Sequence, residues 1–183
     1  MIDHTDQTAP AQTIVSPSPS TTAAPTQTAT PPPPSVTAVS RRDDIVPPPA
    51  TLEIGPSVQT AGIGSYCWTE DLRGLCLDAM GIPTPPDPLP ATIPLTAQLR
   101  LPLAEPPTHL QLHVLPVSQT DAIDSDVRGY RWWNYQETPV TELPLEREQA
   151  IDLDLQPGLY ILGVSAWWDQ AGDVTYGFFL KVE

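Results

Sequence analysis

The chain has 183 residues and carries 22 acidic against 8 basic side chains, which gives a formal net charge of −14. The field of such a polyanion opposes its approach to nucleic acid or to an anionic membrane surface, so we expect neither as a partner. The 25 prolines argue against a helical bundle, because each costs about 3 kcal/mol inside a helix. No stretch approaches the roughly 18 apolar residues that cross a bilayer, so we expect no insertion into a membrane.

Residues 1–50 have the composition of a disordered stalk. They contain 11 Pro, 5 Ser and 9 Thr, and none of the 12 aromatic residues. Such a segment cannot offset about 1–2 kcal/mol per residue of backbone ordering entropy. Proline runs at 31–34 and 47–49 favour polyproline II. We therefore predict a partly stiffened Pro/Ser/Thr-rich tether over 1–50, which could be an O-glycosylated stalk or a dispensable linker. We predict one folded domain over 51–183.

Apolar and polar residues alternate along much of the domain, the pattern of strands with one buried face. The clearest alternating rows lie at 95–103, 110–114, 151–155, 160–168 and 176–182. Shorter candidate strands lie at 64–68, 75–77, 129–133 and 140–145. The Gly-containing turn at 169–173 would join the last two rows as an antiparallel hairpin. Eight or so strands between Pro/Gly turns predict an all-β antiparallel two-sheet sandwich of the immunoglobulin-like or fibronectin type, with a closed barrel as the alternative.

A tyrosine corner strengthens this prediction. Leu155, Pro157, Gly158 and Tyr160 place Pro-Gly between two strands and a tyrosine at the start of the second. This resembles the corner of immunoglobulin-like sandwiches, in which the phenol bonds backbone a few residues upstream. The fifth, sixth and last strands would then be 149–155, 159–168 and 174–182. We expect Tyr160→Phe to destabilise the domain by about 1–2 kcal/mol.

Cys67 and Cys76 are the only cysteines, and the polar stretch between them allows a hairpin to bring them face to face. A disulfide closing about ten residues would stabilise the fold by about 2.7 kcal/mol in the chain-entropy model. Two free buried thiols are the alternative, and a zinc site is disfavoured because Cys-x-x-Cys is absent. A disulfide would imply an oxidising compartment, such as a periplasm or the outside of a cell.

The Gly-Ser-Tyr-Cys-Trp segment at 64–68, followed by Cys76 and Asp78, resembles the opening of an uncharacterised family of bacterial extracytoplasmic domains, often lipoproteins. The stretch from Leu155 to Val182 is similar to that family as well. The resemblance implies an exported all-β domain and no reaction. The chain has neither a lipobox cysteine nor an export signal, so this interpretation expects a trimmed chain or a start further upstream.

No motif for catalysis or for a cofactor is present, and we expect neither enzyme activity nor a cofactor. His109 and His113 would share one strand face about 13 Å apart, too far for one metal ion, so a solvent-facing row is expected. The carboxylates of Asp121, Asp124 and Asp126 could hold Ca²⁺, but they lack the closing Glu of a calcium loop. A solvated acidic loop is the expected reading, in which Arg128 pairs with one carboxylate.

Neighbours in a strand point to opposite faces, so one indole of each tryptophan doublet is expected to face outward. These are Trp167, from its parity with Tyr160, and either Trp132 or Trp133, with Tyr135 nearby in sequence. Exposed aromatic rings can stack on a sugar or anchor a protein partner. The alternative is that the indoles cover a sheet edge or pack beneath the proline-rich segment 83–90.

These observations predict a non-catalytic, exported binding or structural module of a bacterial cell surface, whose partner is an unknown protein or carbohydrate. A sensor or regulatory ectodomain of a membrane protein is the first alternative. The second is a hydrolase that uses carboxylates of 121–126 or Glu137. A binding module should present outward indoles on a shallow face, whereas an enzyme should have a deep cleft with converging carboxylates.

Overall fold

The computed structural model describes residues 45–123, 129–134 and 139–183. Within these ranges the chain is β-structure, apart from loops and one short 3-10 helix at Val117–Gln119. None of the described segments is a helix long and apolar enough to span a membrane. The strands are β1 Thr51–Ile54, β2 Ser57–Thr60, β3 Gly62–Glu70, β4 Arg73–Leu77, β5 Ile82–Thr84, β6 Leu89–Ala91, β7 Leu95–Arg100, β8 His109–Pro116, β9 Ala122–Ile123, β10 Arg131–Trp133, β11 Val140–Glu142, β12 Glu148–Leu153, β13 Gly158–Trp168 and β14 Gly172–Val182.

Two antiparallel sheets pack face to face, which confirms the predicted two-sheet sandwich. The smaller has the order β12-β7-β1-β2, and the larger has the order β11-β8-β13-β14-β3-β4, with β6 added parallel to the end of β14. Alternate residues of both sheets meet in one apolar core, as the alternation in the sequence predicts. Its fully buried members include Leu52, Leu99, Leu162, Tyr176 and Phe178.

The strand order resembles that of an immunoglobulin-like domain. Strands β1, β7 and β12 lie side by side in one sheet, and β8, β13 and β14 lie side by side in the other, like strands A-B-E and C-F-G of that fold. The predicted fifth, sixth and last strands correspond to β12, β13 and β14. The strands β2 to β6, inserted between β1 and β7, are the main departure from this order.

The tyrosine at the crossing from β12 to β13 makes the contact that a tyrosine corner requires. The hydroxyl of Tyr160 donates a hydrogen bond to the carbonyl oxygen of Gln156 over 2.9 Å. Leu155 is half-buried against the core just before the turn at Pro157. Because the hydrogen bond is exposed, its loss should cost less than the loss of a buried one.

A third, small sheet of order β5-β10-β9 lies on the outer face of the larger sheet. A second apolar cluster joins the two, and its buried members are Ile82, Leu115, Trp133, Ile161 and Phe179. Gly62, Gly177 and Gly163 are register neighbours on three adjacent strands of the larger sheet. A Cβ atom at Gly62 or Gly177 would overlap the backbone of Pro83. The row of glycines therefore allows β5 to lie directly on the sheet.

Gln59 completes one edge of β14 where the neighbouring strand changes. Strand β14 pairs with β3 as far as Gly177 and with β6 from Leu180 onward, and Phe179 lies between. The side chain of Gln59 accepts a hydrogen bond from the Phe179 amide over 2.8 Å and donates one to its carbonyl oxygen over 3.2 Å. It also donates to the carbonyl oxygen of Asp87 over 3.0 Å. One buried amide thus replaces a missing strand partner.

Residues 45–50, which the composition assigns to the stalk, pack against the sandwich. Ile45 and Ala50 are buried in the main core. Two core tyrosines donate hydrogen bonds to this segment, Tyr66 to the carbonyl of Ile45 over 3.3 Å and Tyr176 to that of Pro48 over 2.9 Å. The packed domain therefore begins before the predicted boundary at residue 50. The composition does not show this, because the segment is held by buried tyrosine hydroxyls that donate to its backbone carbonyls. The rest of the predicted stalk lies outside the described residues.

Candidate functional site

The disulfide predicted from the two cysteines is present. Cys67 and Cys76 lie directly opposite each other in the β3–β4 hairpin, with their Cα atoms 4.0 Å apart and their sulfur atoms bonded. Both residues are exposed on the outer face of the larger sheet. A disulfide of this kind favours maturation in an oxidising compartment.

Trp167 faces outward, as its parity with Tyr160 predicts. It is 37% exposed, whereas its neighbour Trp168 is buried and packs edge to face on Trp68, with ring centroids 5.8 Å apart. The ring of Trp167 lies nearly perpendicular to that of His109, with centroids 6.2 Å apart. An exposed indole therefore stands on the outer face of β13.

The prediction that Trp132 or Trp133 faces solvent is wrong, because both are buried. Their strand, β10, lies in the middle of the small third sheet. The indole nitrogen of Trp133 donates a hydrogen bond to the hydroxyl of Thr84 over 2.9 Å, and its ring packs on Phe179. The alternative reading, packing against the proline-rich segment 83–90, is correct for Trp133. Tyr135 lies outside the described residues.

A groove of about 380 Å³ crosses the outer face of the larger sheet beside Trp167. Its floor is a row of polar register neighbours, Gln111 on β8, Ser165 on β13 and Thr175 on β14. The floor continues to Ser65 on β3. One wall is the segment 79–82, which leads into the third sheet; the other residues in the lining are His113, Val140 and Trp167.

The polar groups of this groove divide into fixed and free ones. The amide of Gln111 donates a hydrogen bond to the carboxylate of Glu142 over 2.7 Å. The hydroxyl of Ser65 accepts from the backbone amide of Ala79 over 2.9 Å and thereby holds the wall. Among the described residues the hydroxyls of Ser165 and Thr175 have no hydrogen-bond partner. Two adjacent hydroxyls are therefore open to a ligand in the middle of the floor.

The two strand histidines differ in environment. His109 is exposed, as predicted, but His113 is only 3% exposed, so the predicted solvent-facing row is wrong at that position. Ile82 of the third sheet covers Gly163, the register neighbour of His113. Burial lowers the pKa of His113 below its usual value, and the imidazole is therefore neutral at pH 7.

Of the carboxylates proposed for metal binding or hydrolysis, Asp121 is the one that the structure describes, and it does not line this groove. Asp121 is exposed in a loop, whereas Asp124, Asp126, Arg128 and Glu137 lie outside the described residues. Among the described residues that line the groove, none is an aspartate or glutamate. Within the described part of the chain there is no cluster of three His, Cys, Asp or Glu side chains that could hold a metal ion.

The sequence analysis did not predict a binding role for Ser65, Gln111, Ser165 or Thr175, because polar residues on the outer face of a strand have the pattern of any solvated surface. The one available signal is the alternation along β13: because Ser165 is two residues before Trp167, it lies on the same outward face of the strand. Comparisons of the chain with protein-family models, with curated proteins and with solved structures find no match. The resemblance to the extracytoplasmic family therefore stays a prediction, and the groove itself is the main basis for a functional proposal.

Proposed function

We propose that this domain is a non-catalytic binding module of an exported bacterial protein, and that its outer groove binds a neutral carbohydrate. The observation that carries the proposal is the half-exposed indole of Trp167 beside the free hydroxyls of Ser165 and Thr175. A flat aromatic ring offers a stacking surface for a sugar, and adjacent hydroxyl and amide groups offer hydrogen bonds to its hydroxyls.

The charge of the protein supports a neutral ligand over an anionic one. The formal net charge is −14, and Glu142 lies beside Gln111 at one end of the floor. A uronate or phosphate group would meet repulsion there, whereas an uncharged sugar would not. The exposed disulfide supports a location outside the reducing cytosol.

Affinity electrophoresis of the full chain in gels that contain a neutral β-glucan, xylan or mannan tests this proposal. We expect retardation by at least one polysaccharide and its loss in Trp167→Ala. Leu159→Ala is the matched control, because Leu159 is 40% exposed but does not line the groove. Thr175→Val keeps the shape of the side chain and removes the hydroxyl, so it should weaken binding about tenfold.

Tryptophan emission gives a second measurement of the same binding. Trp68, Trp132, Trp133 and Trp168 are buried, so a sugar in the groove should shield chiefly Trp167 from acrylamide quenching. Migration that no polysaccharide slows, or retardation that Trp167→Ala leaves unchanged, would contradict the assignment of this groove.

A further inference from the structure

The third sheet closes the candidate groove along the direction of the strands. Gly163 lies two residues before Ser165 on β13, and Gly177 is its register neighbour on β14. A Cβ atom added at Gly163 would meet Cδ1 of Ile82 at 2.9 Å. One added at Gly177 would overlap the backbone of Pro83. Strand β5 therefore lies directly on this part of the sheet, and a ligand above Ser165 cannot extend along β13 toward Gly163.

Trp167 bounds the groove on the opposite side. It lies two residues after Ser165 on β13. Its ring is 37% exposed and lies nearly perpendicular to the ring of His109. Gly163 and Trp167 are four residues apart on one strand, which corresponds to about 13 Å. The channel between β5 and Trp167 is therefore wide enough for one chain of sugar rings, and it is oriented across the strands.

The groove crosses five neighbouring strands of the larger sheet. Its lining residues on these strands are Val140 on β11, Gln111 on β8, Ser165 on β13, Thr175 on β14 and Ser65 on β3. The last four are polar, one on each strand. Adjacent strands lie about 4.8 Å apart, so the polar row from β8 to β3 is about 14 Å long. The floor therefore repeats a polar side chain once per strand.

We propose that the groove binds an extended β-1,4-linked glycan whose chain runs across the strands, with one sugar unit over each of β8, β13, β14 and β3. This inference rests on the proposed carbohydrate function and specifies the ligand. In an extended β-1,4-linked chain, each ring advances the chain by a length close to the spacing between neighbouring strands. Successive rings can then follow the polar row in register, whereas an α-1,4-linked chain curls away from it.

The polar groups of the floor assign the sugar units to positions. One unit lies over β13, where it stacks on Trp167 beside the hydroxyl of Ser165, and the next lies over Thr175 on β14. The amide of Gln111 donates to Glu142 on β11, on the side of β8 that faces away from β13. Gln111 therefore suits a further unit over β8. A disaccharide fills the positions over β13 and β14 and leaves Gln111 uncovered.

Titrations of the full chain that follow tryptophan emission test the length and the linkage of the ligand. The probes are cello-, xylo- and manno-oligosaccharides of two to six units, with maltotetraose as the matched α-1,4-linked control. In the series that binds, the affinity should rise about tenfold or more from two units to four, since the added units gain hydrogen bonds. Units beyond the fourth should change it by less than about twofold. Maltotetraose should bind about tenfold more weakly than the β-1,4-linked tetrasaccharide, or weaker still.

Gln111→Ala tests the direction of the bound chain. It should lower the affinity for the tetrasaccharide about tenfold and leave the affinity for the disaccharide unchanged. Gln98→Ala is the matched control and should change neither affinity, because Gln98 is an exposed glutamine on β7 of the smaller sheet.

The outcomes separate this inference from the proposed function. Affinity that does not depend on chain length, equal binding of maltotetraose, or an equal loss for both sugars in Gln111→Ala would overturn the inference and leave the carbohydrate function in place. If none of the polysaccharides or oligosaccharides bound the chain, both would be overturned.

Discussion

Two buried glutamines should respond in opposite ways to the same substitution. Gln59 and Gln149 are 8% and 5% exposed. The amide of Gln59 makes three hydrogen bonds, two of them to the backbone of Phe179. The amide of Gln149 has neither its nitrogen nor its oxygen paired with any described residue. Replacement by leucine keeps most of the side-chain volume and removes the amide, so it isolates the contribution of these hydrogen bonds.

The expected magnitudes follow from the partners that each substitution leaves behind. Gln59→Leu leaves the N–H and C=O of Phe179 buried without partners, at about 1–3 kcal/mol each, which predicts a loss of about 2–6 kcal/mol. Gln149→Leu orphans no described group and removes an unpaired amide whose burial costs about 1–3 kcal/mol. After an allowance for imperfect packing, we expect Gln149→Leu to stabilise the domain by about 1 kcal/mol.

Urea denaturation of the full chain with its disulfide intact, followed by tryptophan emission, measures both effects. The slope with urea should be unchanged, so that the midpoint alone reports stability. Gln59→Glu is a useful third variant, because its carboxylate accepts from Phe179 but cannot donate to the two carbonyl oxygens; it should destabilise as well. If Gln59→Leu proved neutral, or if both leucine variants lost the same stability, the reasoning from these contacts would be refuted.

Three further changes test other parts of the fold. Burial lowers the pKa of His113 in the folded state, so the unfolded chain binds the proton first as the pH falls. The free energy of unfolding should therefore be highest above about pH 6.5, and it should decrease by up to about 1.4 kcal/mol per pH unit until the pH reaches the lowered pKa of the folded state. Urea midpoints at several pH values should show this slope in the wild type and not in His113→Gln. Tyr160→Phe should cost about 0.5–1 kcal/mol, less than the sequence suggests, and an unchanged urea midpoint would remove the corner from the account. Gly177→Ala should lower the free energy of unfolding by about 3 kcal/mol or more in thermal unfolding, because β5 must move. The control Gly74→Ala should change it by no more than about 1 kcal/mol. Equal losses of stability would contradict the close contact of Gly177 with Pro83.

The main strands could be predicted because apolar and polar residues alternate along at least part of each. Burial alternates along β7 and β12, whereas in β8, β13 and β14 the third sheet also buries outward residues such as Leu115, Ile161 and Phe179. Strands β5 and β6 escaped prediction because each has a proline at its centre, Pro83 and Pro90, and therefore has the composition of a loop. Strand β6 pairs with the end of β14, and β5 pairs with β10 and packs on the larger sheet. Both depend on residues distant in sequence, and the local sequence does not contain that information.

The candidate site could be predicted only in part, for a related reason. Parity along β13 was enough to place Trp167 outward. The burial of Trp132, Trp133 and His113 depends instead on the third sheet, which reaches the larger sheet only through glycines that are distant in sequence. Gln59 has the pattern of an ordinary outward residue of β2, and only the change of partner along β14 gives it a buried role.

The candidate groove is formed mainly by the segment inserted between β1 and β7, which contains β2 to β6, and less by the immunoglobulin-like framework. Strands β1, β7 and β12, with β8, β13 and β14, form the sandwich and present Trp167, Ser165 and Thr175 on an open face. The inserted segment from β2 to β6 turns that face into a groove, because it supplies Ser65 and the wall at 79–82. The same segment supplies β4, and the disulfide from Cys67 to Cys76 fixes the strand to the sheet. A framework that lacked this insertion would keep the exposed indole of Trp167. It would have neither the wall at 79–82 beside that indole nor the disulfide that joins β3 to β4.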